Sequence, residues 1–153
     1  MEKSKIIIVD DNPSIPPLLK EIIEMEPDMT VACEAANKDE FFACLAKNKL
    51  DVALVDLSLK EREGGLDILG DLRRRNKPLP VIIVSAYDEY LYGLRSLTLG
   101  ASGFISKNFL VSELIPGIRC VLEGKPYVSG PKGETIVQMW KEDQKKVRSG
   151  LST

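Results

Sequence analysis

Five short apolar runs divide the chain, and stretches of helical periodicity fill the gaps between them. Ile6-Ile7-Ile8-Val9, Val52-Ala53-Leu54-Val55 and Val81-Ile82-Ile83-Val84 show no polar alternation. That is the pattern of parallel strands buried on both faces. The first strand is read as Lys5–Val9. Met29–Ala35 is more mixed and belongs nearer a sheet edge, and Gly103–Ser106 gives the fifth strand.

The intervening stripes predict five helices. Leu18, Leu19, Ile22, Ile23 and Met25 mark the first, with Asn12 as cap, Pro13 at its first position and Pro27 as its stop. Pro17 would there remove one helical hydrogen bond. Phe41, Phe42, Leu45 and Ala46 mark a second helix ending near Asn48. Leu66, Leu69 and Leu72 mark a third after the polar loop Ser58–Gly65. Leu91, Leu94, Leu97 and Leu99 mark a fourth ending at Gly100. Val111, Leu114, Ile115, Ile118, Val121 and Leu122 mark a fifth ending at Gly124, loosened by Pro116. A strand-helix unit repeated five times predicts an α/β fold: a doubly wound five-stranded parallel sheet with five flanking helices and right-handed crossovers.

Such sheets carry their ligands at the carboxyl ends of the strands. Here those ends are chemically rich. The first strand runs into Asp10-Asp11, the third ends on Asp56, the fourth on Ser85 and the fifth on Ser106-Lys107. Three acids, a hydroxyl and a lysine thus fall on one rim. The carboxylates alone would repel one another and resist joint ionisation. A hard dication relieves that, and an all-oxygen donor set suits Mg²⁺ shared with a phosphate. An aspartate beside such an ion can attack a phosphoryl donor. Lys107 and Ser85 match the incoming oxygens.

Composition narrows the chemistry further. The 153 residues contain no histidine, so no Ser-His or Cys-His nucleophile exists on this chain. With 21 basic and 23 acidic residues, the balance does not mark a nucleic-acid binder. No run approaches the ~20 apolar residues of a membrane span. Cys33, Cys44 and Cys120 lack metal-type spacing and read as reduced thiols. The expectation is a cytoplasmic protein without a membrane partner.

The acidic pair after the first strand, Asp56 after the third, Ser85-Ala86, and Phe104-Ile105-Ser106-Lys107 together resemble the receiver domain of two-component response regulators, over roughly residues 4–125. Leu99–Phe104 and Pro80–Tyr90 look most like the branch with a C-terminal helix-turn-helix. The resemblance implies a flavodoxin-like strand order 2-1-3-4-5. It implies Asp56 as phosphoacceptor, with a sensor histidine kinase as donor. Asp10, Asp11, Asp56 and the Ser58 backbone carbonyl would hold Mg²⁺. Ser85 and Lys107 would bind the phosphoryl group, and Phe104 would be the aromatic switch. The domain would be no enzyme beyond its own phosphorylation and dephosphorylation, and phosphorylation could drive homodimerisation. This chain departs from the family in its long charged loop after Asp56 and in Asn108, where proline often follows the lysine.

A haloacid-dehalogenase-like phosphatase also uses a strand-end aspartate, a hydroxyl, a lysine and Mg²⁺. It needs a second aspartate two residues after the nucleophile, and position 12 is Asn. A receiver-like scaffold that never takes phosphate is disfavoured by the complete acid set. Phosphate-loop and dinucleotide folds are disfavoured because no Gly-rich loop follows the first strand. The domain division is read as a receiver over 1–125 and a linker with a helical tail over 126–153. Tyr127–Gly133 reads as linker, and Glu134–Ser149 as a solvated helix with a sparse apolar face of Ile136, Val137, Trp140 and Val147. Its Lys141, Lys145, Lys146 and Arg148 are offset by Glu142 and Asp143, unlike a recognition helix. DNA contact is therefore expected only through a C-terminal domain absent from this chain, with control of transcription as the output; the alternative is a stand-alone signalling receiver acting through protein contacts.

Overall fold

The computed structural model describes residues 2–59 and 64–150. Lys60–Glu63 of the polar loop and Leu151–Thr153 at the terminus lie outside the described residues.

Six strands form one parallel sheet: β1 (Ser4–Val9), β2 (Met29–Ala35), β3 (Val52–Asp56), β4 (Val81–Ser85), β5 (Gly103–Ser106) and β6 (Tyr127–Val128). Their order is β2-β1-β3-β4-β5-β6. The first five follow the expected flavodoxin-like order 2-1-3-4-5, and the sixth corrects the five-strand reading. β6 pairs Tyr127 with Gly103 and Val128 with Phe104, inside the stretch read as linker. Two residues are too few to show a strand period in sequence.

The helices are α1 (Ile15–Glu24), α2 (Lys38–Lys47), α3 (Gly64–Arg74), α4 (Glu89–Thr98), α5 (Leu110–Leu122) and α6 (Gly133–Ser149). Two apolar layers sandwich the sheet. One holds Ile7, Val55, Ile83 and Phe104 with α3 and α4 residues. The other holds Ile6, Leu54, Ile82 and Ile105 with residues of α1 and α5. Burial of Ile6 to Val9 in β1 and of all of β3 and β4 explains their unbroken apolar runs.

Several local expectations shift. α1 starts at Ile15, later than the Asn12 cap implied, so Pro16 and Pro17 fall in the first turn, where no intrahelical donor is lost. Asn12 caps the preceding turn, its side chain accepting from the Ser14 N–H at 3.0 Å. α5 runs unbroken through Pro116. The peptide after Lys107 is trans, like every other among the described residues. α4 buries Glu89, Tyr92, Gly93, Ser96 and Leu97, while Leu91 is exposed. Leucines spaced by three drift around a helix of 3.6 residues per turn, so the stripe read from them was not one face. Cys33 and Cys44 are joined in a disulfide between β2 and α2, correcting their reading as reduced thiols, and Cys120 is free. No helix among the described residues is long and apolar enough to cross a membrane.

The tail is also packed. Ile136 is buried, and Val137 and Trp140 lie against the same apolar layer as Phe104. α6 packs on α4 and β6, so its inner face is not solvated.

Candidate functional site

Each acid of the site comes from the end of a buried strand. β1 delivers Asp10 and Asp11, and β3 ends on Asp56. Those strands are neighbours in the sheet, which brings the acids together. One carboxylate oxygen from each of Asp10, Asp11 and Asp56 lies within 4.8 Å of the others. Asp10 and Asp56 are buried, while Asp11 is exposed at the rim. Lys107 reaches in from the end of β5, its Nζ 3.2 Å from Asp56 Oδ1 and 3.9 Å from Asp10 Oδ2.

Backbone donors hold the acids in place. Asp10 Oδ1 accepts the Asn12 N–H at 2.8 Å, and the Asp56 carboxylate accepts the Ser58 N–H. The Asp10 N–H donates to Ala35 O at 3.0 Å, tying the rim to β2.

The electrostatics are those of a crowded, partly dry acid cluster. Burial pushes the Asp56 carboxyl above the usual carboxylate range; Lys107 opposes that, while Asp11 adds to it. Burial likewise raises Asp10, the Asn12 N–H opposes it, and the Asp56 charge adds to it. Burial and mutual repulsion thus disfavour the charged forms of Asp10 and Asp56. A divalent cation of the Mg²⁺ kind would relieve that, and three hard carboxylate oxygens fit it.

The other expected residues divide. Ser85 lies at the end of β4, fully buried, its hydroxyl accepting the Tyr87 N–H at 2.8 Å. Ser58 is exposed beside Asp56. Phe104 is not at the rim but inside the apolar layer below it, paired across the sheet with Ile83 and Val128. Tyr92 is buried in that layer, whereas Tyr90 and Leu91 are exposed on α4.

Sequence reading missed a second polar group behind the rim. The Ser106 N–H donates to Ser129 Oγ at 2.9 Å, and the Ser129 hydroxyl bonds the Glu89 carboxylate. Glu113 accepts from the Gly130 N–H at 3.0 Å and the Tyr127 hydroxyl at 2.7 Å. These residues are far apart in the chain, so no local spacing could have announced them.

Comparison with known proteins agrees with this geometry. The family described as "Response regulator receiver domain" matches residues 6–119. The oxygen regulatory protein NreC of Staphylococcus haemolyticus is 31% identical over 124 residues, covering 81% of this chain and 57% of NreC. The chain therefore spans little more than half the length of that relative. A putative transcriptional regulator of Pseudomonas aeruginosa is 28% identical over 151 residues, covering 97% of this chain and 71% of the relative. Among solved structures, a LuxR-family two-component response regulator from Aurantimonas sp. superposes with a TM-score of 0.78 at 25% identity, covering 94% of this chain and 99% of the other. With the acid cluster, the strand order and the matched span all in agreement, the chain belongs to the response regulator receiver family.

Proposed function

We propose that the chain accepts a phosphoryl group on Asp56 from a sensor histidine kinase and passes the change to an output that controls transcription. The observation that carries this is the Lys107 ammonium 3.2 Å from Asp56 Oδ1 within the three-acid cluster. An Asp56 oxygen forms a bond to phosphorus as the donor's P–N bond breaks, and the leaving imidazole takes up a proton. Lys107 follows the negative charge onto the phosphoryl oxygens. Ser85 gives its hydroxyl proton to one of them while keeping the Tyr87 N–H. Asp10, Asp11, Asp56 and the Ser58 carbonyl would hold Mg²⁺, which supplies positive charge to the transferring group. The domain is a signalling module whose only chemistry is its own phosphorylation and dephosphorylation. The same reading places it in the cytoplasm, with homodimerisation as one consequence of phosphorylation. DNA is reached through a further domain and not through α6, where Lys145 already pairs with Glu142 at 3.8 Å.

The direct test is acetyl phosphate with Mg²⁺. An acid-stable, base-labile mass gain on Asp56 supports the reading, and a gain on any other residue or none refutes it. The phosphatase alternative gains nothing, because Asn12 is committed to the Ser14 N–H and offers no acid.

Two further outcomes are expected. Asp11→Ala should weaken Mg²⁺ binding at least about tenfold, since even supporting partners of a metal site contribute that much. Calorimetric titration checks it, and undiminished affinity puts the ion elsewhere. Tyr87 lies two residues beyond Ser85, its ring 5.4 Å from that of Tyr92, and on this reading it screens the phosphoryl group from water. Tyr87→Ala should therefore lose its phosphoryl group severalfold faster, and an unchanged decay rate would show that the ring screens nothing.

A further inference from the structure

The buried polar atoms of the described residues are paired almost everywhere, and the exceptions are concentrated. Glu89 Oε2, Ser96 Oγ and Trp140 Nε1 are buried without a hydrogen-bond partner. The first two belong to α4 and the third to α6, so all three lie on one helix pair. An unpaired buried donor or acceptor recovers water when its surroundings open, which favours the open state. The opposing force is apolar: Ile136, Val137 and Trp140 against the layer that holds Phe104, Tyr92 and Val128. The contact is close at Gly93: a Cβ there would just touch Ile136 Cγ2 and Val128 Cγ1, each at 3.5 Å, and leaves no room for a larger side chain.

Two strand ends at the rim are tied to this pair. Lys107 contacts Asp56, and its neighbour Ser106 donates to Ser129, which bonds Glu89 at the start of α4. On the other side, Ser85 holds the Tyr87 N–H just before the same helix. A phosphoryl group on Asp56 draws on both Lys107 and Ser85. A shift of either strand end therefore pulls on Glu89 or Ser129.

We infer that α6 is a releasable strap over α4, latched through Ser129 and Glu89 and loosened when Asp56 is phosphorylated. This rests on the functional reading above. Two discrete arrangements, docked and lifted, give the coupling a physical element to bias. Lifting bares the Gly93 face of α4 together with Ile136 and Trp140.

Trp140 is the only tryptophan in the chain, so its fluorescence reports α6 alone. The test uses the 153-residue protein with Mg²⁺ and beryllium fluoride as phosphoryl mimic. Emission should shift to the red and acrylamide quenching should rise severalfold, with no response in Asp56→Asn. Gly93→Val, whose added methyls meet Ile136 and Val128, should show the exposed signal without ligand while keeping its helical circular dichroism. In the unliganded protein, α6 amides should exchange at least about tenfold faster than those of α5. Acetyl phosphate in parallel separates the two ideas. If Asp56 gains the phosphoryl mass while Trp140 stays unchanged, the strap is overturned and the functional reading stands. If no mass is gained, the functional reading fails and the latch fails with it. Exchange of α6 no faster than α5, or a buried Trp140 in Gly93→Val, also overturns the strap.

Discussion

Asp56→Asn should abolish phosphoryl uptake and at the same time make the metal-free protein more stable at neutral pH. Uptake is lost because the amide is no nucleophile. The gain in stability follows from burial. Asp56 is almost closed to solvent, and its carboxyl lies above the usual range despite Lys107 at 3.2 Å, so removing the charge removes a net penalty. A carboxyl raised in the folded state binds more protons there than in the unfolded chain. Its contribution is most favourable at low pH and declines as pH rises from the ordinary aspartate value through the raised one. The stability difference between Asp56→Asn and wild type should therefore open across that window and hold above it, at about 1 kcal/mol, or about 2–4 °C in Tm for a domain of this size. Thermal melts in EDTA from acid to neutral pH check it. On the proposed reading, added Mg²⁺ should stabilise wild type and narrow the gap by binding the folded acid cluster and not the unfolded chain. A variant less stable than wild type at neutral pH would mean that the Lys107 ion pair outweighs burial.

The polar rim was legible because its groups lie at or just past strand ends, and the strands announce themselves. β1, β3 and β4 are buried on both faces, so their apolar runs are unbroken and the first polar residue marks the rim. Asp10, Asp56 and Ser85 could be placed from that alone, whereas Lys107 follows the shorter β5 and its polar end Ser106. The helices were less legible where packing, not composition, chooses the face. α4 turns Glu89, Tyr92, Gly93 and Ser96 inward, none of which a search for aliphatic stripes would select. β6 is two residues long, and its pairing with β5 is a property of the whole sheet.

The tail shows the same limit more sharply. Its few apolar residues were too sparse to distinguish a docked helix from a solvated one. Ile136 is nevertheless buried, because α6 packs on α4 and β6. The disulfide between Cys33 and Cys44 escaped for a related reason: a pairing between a strand and the following helix depends on how they pack, which spacing does not give.

A large stability loss is expected at Gly65, in the first turn of α3. Its N–H donates to Leu57 O at 2.9 Å, so the helix start lies directly on the backbone that carries Asp56. A Cβ there would overlap the Asp56 carbonyl oxygen and come within 2.9 Å of Leu57 Cα. Both neighbours are backbone in or next to β3 and cannot rotate away. Gly65→Ala must push α3 outward or displace Asp56 and Leu57. The former opens the layer built on Leu66, Leu69 and Leu72, and the latter moves Asp56 from Lys107. A loss of about 2–4 kcal/mol is expected, in the range of overpacked cores and strained backbone. Phosphoryl uptake should slow with it. Gly70, in the same helix, is the matched control. A Cβ there meets only the end of the flexible Arg74 side chain, at 3.3 Å. Gly70→Ala should instead stabilise by roughly 0.5–1 kcal/mol through better helix propensity, with uptake unchanged. Denaturant titration of both variants separates the two. If Gly65→Ala matched Gly70→Ala in stability and uptake, the approach of α3 to the Asp56 backbone would not be what positions the acceptor.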